Sequence, residues 1–312
     1  MKKRSAYKSS LAIGLACLVL LGGCASTSND VSPDMIAHDK FVARAEQSAA
    51  AGNMPEAIMN YMNAQDIFAS AEIWHRIGLL QLELDNEFPA MSAFQEAIAE
   101  DRNYAPSLEA VGLLYLQWKQ SKHAEIALTK AIDNDPKLWR SHNGLGIVAD
   151  LDGDTAAAQE HYAKALSLKP GSADILNNIG YSHFLSGDNE RAEQVLDSAV
   201  TKNREHRIAW DNMARVLARQ KRYGDAYNIL LTQYGKAIAY HDVGYIALLN
   251  GDYVFADDYL SKAIHASPSY FETAFNNREA ARNRMIGNYE GKIATRSETK
   301  FPFCIGLGGE SC

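Results

Sequence analysis

Small residues recur along the chain at intervals close to 34 residues. Seven of them share one phase: Ala45, Gly78, Gly112, Gly146, Gly180, Ala214 and Gly244. An alanine lies twelve residues after each, and a second alanine lies seven residues further on in every segment except the sixth, where Gln233 stands. A fixed period of this kind predicts stacked copies of one structural unit.

Large apolar side chains lie at fixed distances from these small residues. They are Trp74, Leu108, Leu176, Trp210 and Tyr240 in the first half of the units, and Phe94, Leu128, Tyr162, Leu196, Leu230 and Leu260 in the second half. Glycine in the middle of a helix costs about 1 kcal/mol relative to alanine, so its recurrence at one phase indicates a crossing where a side chain would hold two helices apart. Each unit is therefore predicted to be a pair of antiparallel helices with facing apolar stripes.

Turn residues place the ends of these helices. Glycine ends first helices and proline closes second helices, at Gly52, Gly153, Gly187 and Gly251, and at Pro136, Pro170 and Pro268. The predicted units are 38–70, 71–104, 105–138, 139–172, 173–206, 207–236 and 237–270, followed by a capping helix at 271–286 and a tail at 287–312. The sixth unit is four residues short, so its second helix or the following turn must be clipped.

A period near 34 with this arrangement is typical of tetratricopeptide repeats, which are helix–turn–helix units. The predicted fold is therefore all-α, a solenoid of about seven tetratricopeptide units with a C-terminal capping helix. Such an array offers a long concave surface.

The first residues predict a secretory signal at 1–23. Four cations, at positions 2, 3, 4 and 8, precede an apolar run at 11–21, and small residues lead from there to Cys24. Eleven apolar residues span only about 16 Å as a helix, against about 30 Å of bilayer hydrocarbon, which argues against a permanent membrane span.

The ending Leu21-Gly22-Gly23-Cys24 resembles the lipobox of bacterial lipoproteins. The resemblance implies that Cys24 becomes the first mature residue and carries acyl chains such as palmitate; an ordinary signal peptide with a nearby cysteine is the alternative. Ala25 stands where lipoproteins retained in the inner membrane typically have aspartate, so the expected location is the periplasmic face of the outer membrane. Residues 24–37 are small and polar and predict a flexible tether.

The mature chain is acidic. Without the four cations before Cys24, 27 basic residues stand against 38 acidic ones, a net charge of −11, which does not favour nucleic acid or anionic lipid as a partner.

Cys304 and Cys312 remain in an oxidising compartment and are predicted to form a disulfide, with two free or intermolecular thiols as the alternative.

No motif for catalysis, metal or cofactor binding stands out. The run from Asp150 to Asp154 suggests a calcium loop, but Thr155 and His161 occupy the positions that need glycine and glutamate. The histidines lack metal-ligand spacing, and no nucleophile-elbow or nucleotide-binding loop occurs in the sequence. The sequence therefore predicts a non-catalytic protein without metal or cofactor.

The concave groove is the remaining candidate site. First-helix positions that face it in units four to seven give the predicted partner-binding residues Asn143, Ile147, Asn177, Tyr181, Phe184, Asp211, Arg215, Arg219, His241, Tyr245 and Leu248. Apolar and aromatic residues interleave there with amides and charges, which suits an extended or helical peptide. About half of these residues are expected to pack against neighbouring helices instead. Asn178 and Asn212 occupy a position where asparagine is common in such repeats and are interpreted as structural.

Residues 177–200 and 209–231, leading into 242–270, resemble the TadD-type lipoproteins of tight-adherence (Tad/Flp) pilus assembly, as do the lipobox and the short sixth unit. The resemblance covers the leader and roughly the last four units. It implies a pilotin-like assembly factor whose protein partner is the secretin or another pilus-assembly component. Alternatives are a tetratricopeptide lipoprotein for type IV pilus biogenesis, a scaffold for peptidoglycan enzymes, and an enzyme with a hidden site.

Replacing Cys24 by serine should abolish acylation and release the protein from membranes, because the mature sequence carries no other apolar segment long enough to anchor it. Fractionation of cells that lack its partners measures this. Recovery of the variant in the membrane pellet would contradict the lipoprotein prediction.

Overall fold

A computed structural model describes residues 32–269 and 271–287, and fifteen α-helices account for the secondary structure of this part of the chain. In order they are α1 (Pro33–Ala50), α2 (Met54–Gln65), α3 (Ala71–Glu83), α4 (Glu87–Glu100), α5 (Ala105–Gln117), α6 (Ser121–Asn134), α7 (Trp139–Asp152), α8 (Thr155–Leu168), α9 (Ala173–Leu185), α10 (Asn189–Lys202), α11 (Arg207–Arg219), α12 (Tyr223–Tyr234), α13 (Lys236–Leu249), α14 (Tyr253–Ala266) and α15 (Glu272–Met285). The predicted lipidation site Cys24 and the predicted disulfide partners Cys304 and Cys312 lie outside the described residues. Within the described ranges, no helix combines the length and the apolar character that a membrane span requires.

The helices confirm the predicted fold of seven helix pairs followed by a capping helix. Five first helices, α3, α5, α7, α9 and α11, begin at the predicted unit starts 71, 105, 139, 173 and 207. The start of the array differs, because α1 begins at Pro33 and not at residue 38. Ser32 caps it by accepting a hydrogen bond from the backbone amide of Met35 at 3.1 Å, and proline is favoured at the first helical position. The predicted tether is therefore shorter by five residues.

The small residues lie where two helices cross, as the sequence predicts. A Cβ atom added to Gly112 would lie 2.5 Å from Cγ of Leu128, and one added to Gly180 would lie 2.6 Å from Cγ of Leu196. Both distances are too short for real carbon atoms, so only glycine permits this approach. The large residues that face the small ones are all exposed by 4% or less: Phe94, Leu128, Tyr162, Leu196, Leu230 and Leu260.

Every unit turns between its two helices through one residue of positive φ. These residues are Gly52, Asp85, Lys119, Gly153, Gly187, Lys221 and Gly251, with φ between 59° and 84°. Four of the seven are the predicted glycines. The prolines at 136, 170 and 268 lie two residues beyond the ends of α6, α8 and α14, which agrees with the predicted ends of the second helices.

The sixth unit is shortened in both its second helix and the turn that follows. Helix α12 has 12 residues, whereas α10 and α14 each have 14. Only Gly235 separates α12 from α13, with φ 78° and ψ 174°, a backbone conformation that essentially only glycine adopts. The predicted clipping is confirmed.

The first helices form the inner layer of the solenoid. From α5 to α13, each first helix contacts its own second helix and also the next helix of the inner layer, which for α13 is the capping helix α15. Each second helix packs between the first helices on either side, as α10 does between α9 and α11. First helices that contact one another directly while the second helices lie outside them produce a concave inner surface.

Replacing Gly180 by leucine should destabilise the array by at least about 1–3 kcal/mol, because the new side chain must displace Leu196 at the helix crossing. Neighbouring units should melt with it, since each unit is stable only against its neighbours. Gly224→Ala is the matched control, because no atom lies within 4 Å of the added Cβ. Urea denaturation checks both variants, and a loss under about 1 kcal/mol for Gly180→Leu would contradict this packing.

Candidate partner-binding groove

Five of the predicted partner-binding residues are buried beneath the surface of the groove. They are exposed by 2% or less: Asn143, Ile147, Asn177, His241 and Leu248. Ile147 and Leu248 belong to the hydrophobic core, where the first helices approach one another too closely to leave them accessible. The expectation that about half of the candidates pack between helices is met. These five residues hold the shape of the groove and do not present their side chains to a partner.

Buried asparagines link successive units under the groove. The side-chain amide of Asn178 donates to Oδ1 of Asn143 at 2.9 Å, and that of Asn212 donates to Oδ1 of Asn177 at 2.9 Å. Within α9, Asn177 donates to Oδ1 of Asn178 at 3.0 Å. Buried amides that are hydrogen-bonded in this way fix the register between neighbouring helices. The structural interpretation of Asn178 and Asn212 is confirmed.

A second set of the predicted residues remains accessible and forms one continuous strip. We define the groove strip as Tyr181, Phe184, Arg215, Arg219 and Tyr245, from helices α9, α11 and α13. Four of these side chains are half-buried, and Arg219 is exposed. Residues three or four apart on a helix share a face, which explains the pairs on α9 and α11.

Contacts between neighbouring helices hold the groove strip together. The rings of Tyr181 and Phe184 lie 5.7 Å apart, and the guanidinium of Arg219 lies 5.5 Å from the centre of the Phe184 ring. Arg215 donates a hydrogen bond to the hydroxyl of Tyr181 and another to Oδ1 of Asn212 at 3.4 Å. Four aromatic or cationic side chains from α9 and α11 are thereby fixed beside one another.

Arg215 also acts electrostatically on Tyr245. Burial raises the pKa of both Tyr181 and Tyr245, and in each case the positive charge of Arg215 opposes part of that rise. The guanidinium therefore lies within electrostatic range of both hydroxyls, one on α9 and one on α13. Both tyrosines stay neutral at physiological pH and can donate a hydrogen bond.

Phe271 extends the aromatic surface toward the end of the array. The His241 ring stacks on Phe271 at 4.9 Å and is nearly parallel to Tyr245, with their centroids 6.4 Å apart. Nδ1 of His241 lies 2.8 Å from a carboxylate oxygen of Asp242, which orients the ring. The periodic pattern does not mark Phe271, because this residue lies at the N-cap of α15, beyond the last full repeat.

Two carboxylates beneath the groove accept hydrogen bonds from hydroxyl groups. Asp150 accepts from the hydroxyl of Tyr162 at 2.9 Å and from that of Ser182 at 2.8 Å. Burial is the main reason that the pKa of Asp150 is raised. Asp211, the last of the predicted residues, is half-buried and accepts from the hydroxyl of Tyr234 at 2.5 Å. Both aspartates therefore join neighbouring helices through hydrogen bonds.

Among the described residues, no group of three or more histidine, cysteine or acidic side chains is arranged so that it could hold a metal ion. What the groove offers is a row of aromatic faces and guanidinium donors. Such groups bind polypeptide segments through apolar anchors and charge-assisted hydrogen bonds.

The fold and the groove define the class of protein as a tetratricopeptide-repeat solenoid, a fold that typically acts as a non-catalytic scaffold for protein interactions. Family models described as tetratricopeptide repeat match residues 105–138 and 151–216. A solved tetratricopeptide repeat protein from Parabacteroides merdae superposes with a TM-score of 0.57 at 13% identity, over 80% of this chain and 100% of that chain.

Two comparisons are with a pilus assembly protein of Pseudomonas aeruginosa. A relative named type IV pilus assembly protein PilF, from Pseudomonas aeruginosa, is 30% identical over 118 residues, which are 37% of this chain and 47% of the relative. The matched region thus spans about half the length of that relative. A solved structure of Pseudomonas aeruginosa pilF has a TM-score of 0.57 at 18% identity and covers 68% of this chain and 98% of that one. At that level of identity the structural match supports the fold alone.

Replacing Asn177 by alanine should lower the free energy of unfolding by about 1–3 kcal/mol, because Asn212 loses a buried acceptor. Arg219→Ala should change it by less than about 1 kcal/mol, since that side chain is exposed and its contact with the Phe184 ring is a weak cation–π interaction. Urea denaturation measures both. Equal losses of stability in the two variants would show that the division between buried groove residues and the accessible groove strip is wrong.

Proposed function

We propose that this protein is a lipid-anchored, non-catalytic assembly factor for a bacterial pilus machine, and that its groove binds a segment of a protein of that machine. The observation that carries the binding role is the groove strip, a row of accessible aromatic and arginine side chains on three successive first helices. Aromatic and arginine residues are the types that most often dominate interface energy.

Similarity supports the pilus assignment. The relative from Pseudomonas aeruginosa is named as a type IV pilus assembly protein, and the last four units of this chain resemble TadD-type lipoproteins. Each likeness covers only part of the chain. Together they favour pilus assembly over other uses of a tetratricopeptide scaffold.

The proposed lipid anchor at Cys24 indicates the membrane at which the partner is bound. Acylation there would hold the array on the periplasmic face of the outer membrane, joined by a short tether to α1 at Pro33. A secretin subunit must insert into that same membrane. The proposed partner is therefore a segment of the secretin of a Tad/Flp system, bound in a pilotin-like manner.

Type IV pilus biogenesis is the second candidate, because the sequence match to a protein named for that system favours it. The genes beside this one, and the type of pilus lost on deletion, distinguish the two systems. Loss of Flp pili supports the first candidate, and loss of type IV pili with intact Flp pili supports the second.

Replacing Tyr181 and Tyr245 together by alanine should weaken partner binding by about 2 kcal/mol or more if both act as anchors. Secretin multimers and surface pili should then fall while the array stays folded, as circular dichroism and thermal melting will show. The matched control replaces Phe88 and Phe255, two exposed aromatic residues on the second helices α4 and α14, by alanine. That variant should keep both multimers and pili. Wild-type multimers and pili in the Tyr181/Tyr245 variant, or in a deletion strain, would refute the proposal.

A further inference from the structure

The two arginines of the groove strip form no ion pair with an acidic side chain of the residues that the structure describes. Arg215 and Arg219 lie four residues apart on α11 and so face the same way. Among the described residues, neither forms an ion pair, although Arg76, Arg191, Arg222, Arg278 and Arg282 all do. Their known contacts are with Tyr181, Asn212 and the ring of Phe184.

Scarcity of carboxylates does not explain this. The chain has 38 acidic residues and 31 basic ones. Acidic groups on the neighbouring first helices have other partners: Asp150 binds two hydroxyls, Asp174 lies 3.1 Å from His206, and Asp211 binds Tyr234. The two guanidinium groups therefore remain as positive charges in the groove of an otherwise acidic protein.

We propose that Arg215 and Arg219 bind two acidic side chains of the partner segment, and that Tyr181, Phe184 and Tyr245 hold its apolar or aromatic residues. This inference rests on the proposed function insofar as the groove binds a protein segment. Guanidinium groups form strong, often bidentate hydrogen bonds with carboxylates. The adjacent rings exclude water and keep Arg215 half-buried, which strengthens an ion pair formed there.

The spacing of the two arginines restricts the sequence of the segment. Four residues of helix separate their Cα atoms by about 6 Å along the axis of α11. An extended chain spans about 7 Å between residues two apart, and a helix spans about 6 Å between residues four apart. The segment should therefore carry two acidic residues two positions apart if it is extended, or four apart if it is helical, with an apolar residue beside them.

A phage-displayed library of random twelve-residue peptides tests this, with the mature chain carrying Cys24→Ser as the target. The peptides are displayed without a free C-terminus, so only side chains can supply the carboxylates. Recovered peptides should be enriched in paired acidic residues at one of the two spacings. One selected peptide, with an amidated C-terminus, and its Glu→Gln or Asp→Asn counterpart are then titrated by fluorescence anisotropy.

The acidic peptide should bind wild-type protein at least tenfold more tightly than its amide counterpart. This preference should vanish in the Arg215→Gln/Arg219→Gln variant and survive in part in the Arg215→Lys/Arg219→Lys variant, which keeps the charge and controls for folding. Arg191→Gln is the matched control, because Arg191 is an exposed arginine on α10 that pairs with Asp188. It should leave the preference unchanged.

Recovery of no binder, recovery of peptides without acidic pairs, or an equal preference in the glutamine variant would overturn the inference. These outcomes are separate from the pilus assay. A strain with the Tyr181/Tyr245 substitutions that loses its pili would uphold the proposed function even if acidic peptides are not selected. A deletion strain with normal pili would refute the pilus role and leave acidic-peptide binding in place.

Discussion

The contact between a small residue on the first helix and a large side chain on the second is the constraint on which the rest of the structure depends. Gly180 against Leu196 shows it, since a single added carbon atom would lie 2.6 Å from the leucine. The same contact recurs along the array and brings the two helices of each unit together. Because each unit buries its apolar stripe only against its neighbours, the contact also fixes how units stack.

The groove follows from this stacking. First helices held close together place their inward side chains in rows, and the asparagines at 143, 177, 178 and 212 tie these rows together under the surface. Side chains that lie above these asparagines, at the surface of the groove, remain accessible and form the groove strip. Scaffold and candidate site therefore share helices α9, α11 and α13, and a change to the helix packing would also move the binding residues.

The sequence alone predicts most of the fold, because residues that mark the helix ends recur at the same positions in successive units. The periodic pattern predicts a start of α1 that is five residues too late, since the cap at Ser32 and Pro33 lies outside the pattern. The site was predicted less completely. Helical spacing shows which residues point inward, but the distance between first helices decides which stay accessible. Ile147 and Leu248 are buried for that reason, and Phe271 was missed because it follows the last repeat.

Site-specific photocrosslinking in living cells tests the central claim, that the inner face of the first helices binds a component of a pilus machine. A benzophenone amino acid would replace Phe184 in the groove and, separately, Phe255, which is 53% exposed on the second helix α14. A crosslinked product that contains a pilus-machine protein should form from position 184 and not from position 255. Crosslinking from position 255 alone, or none from position 184, would contradict the claim.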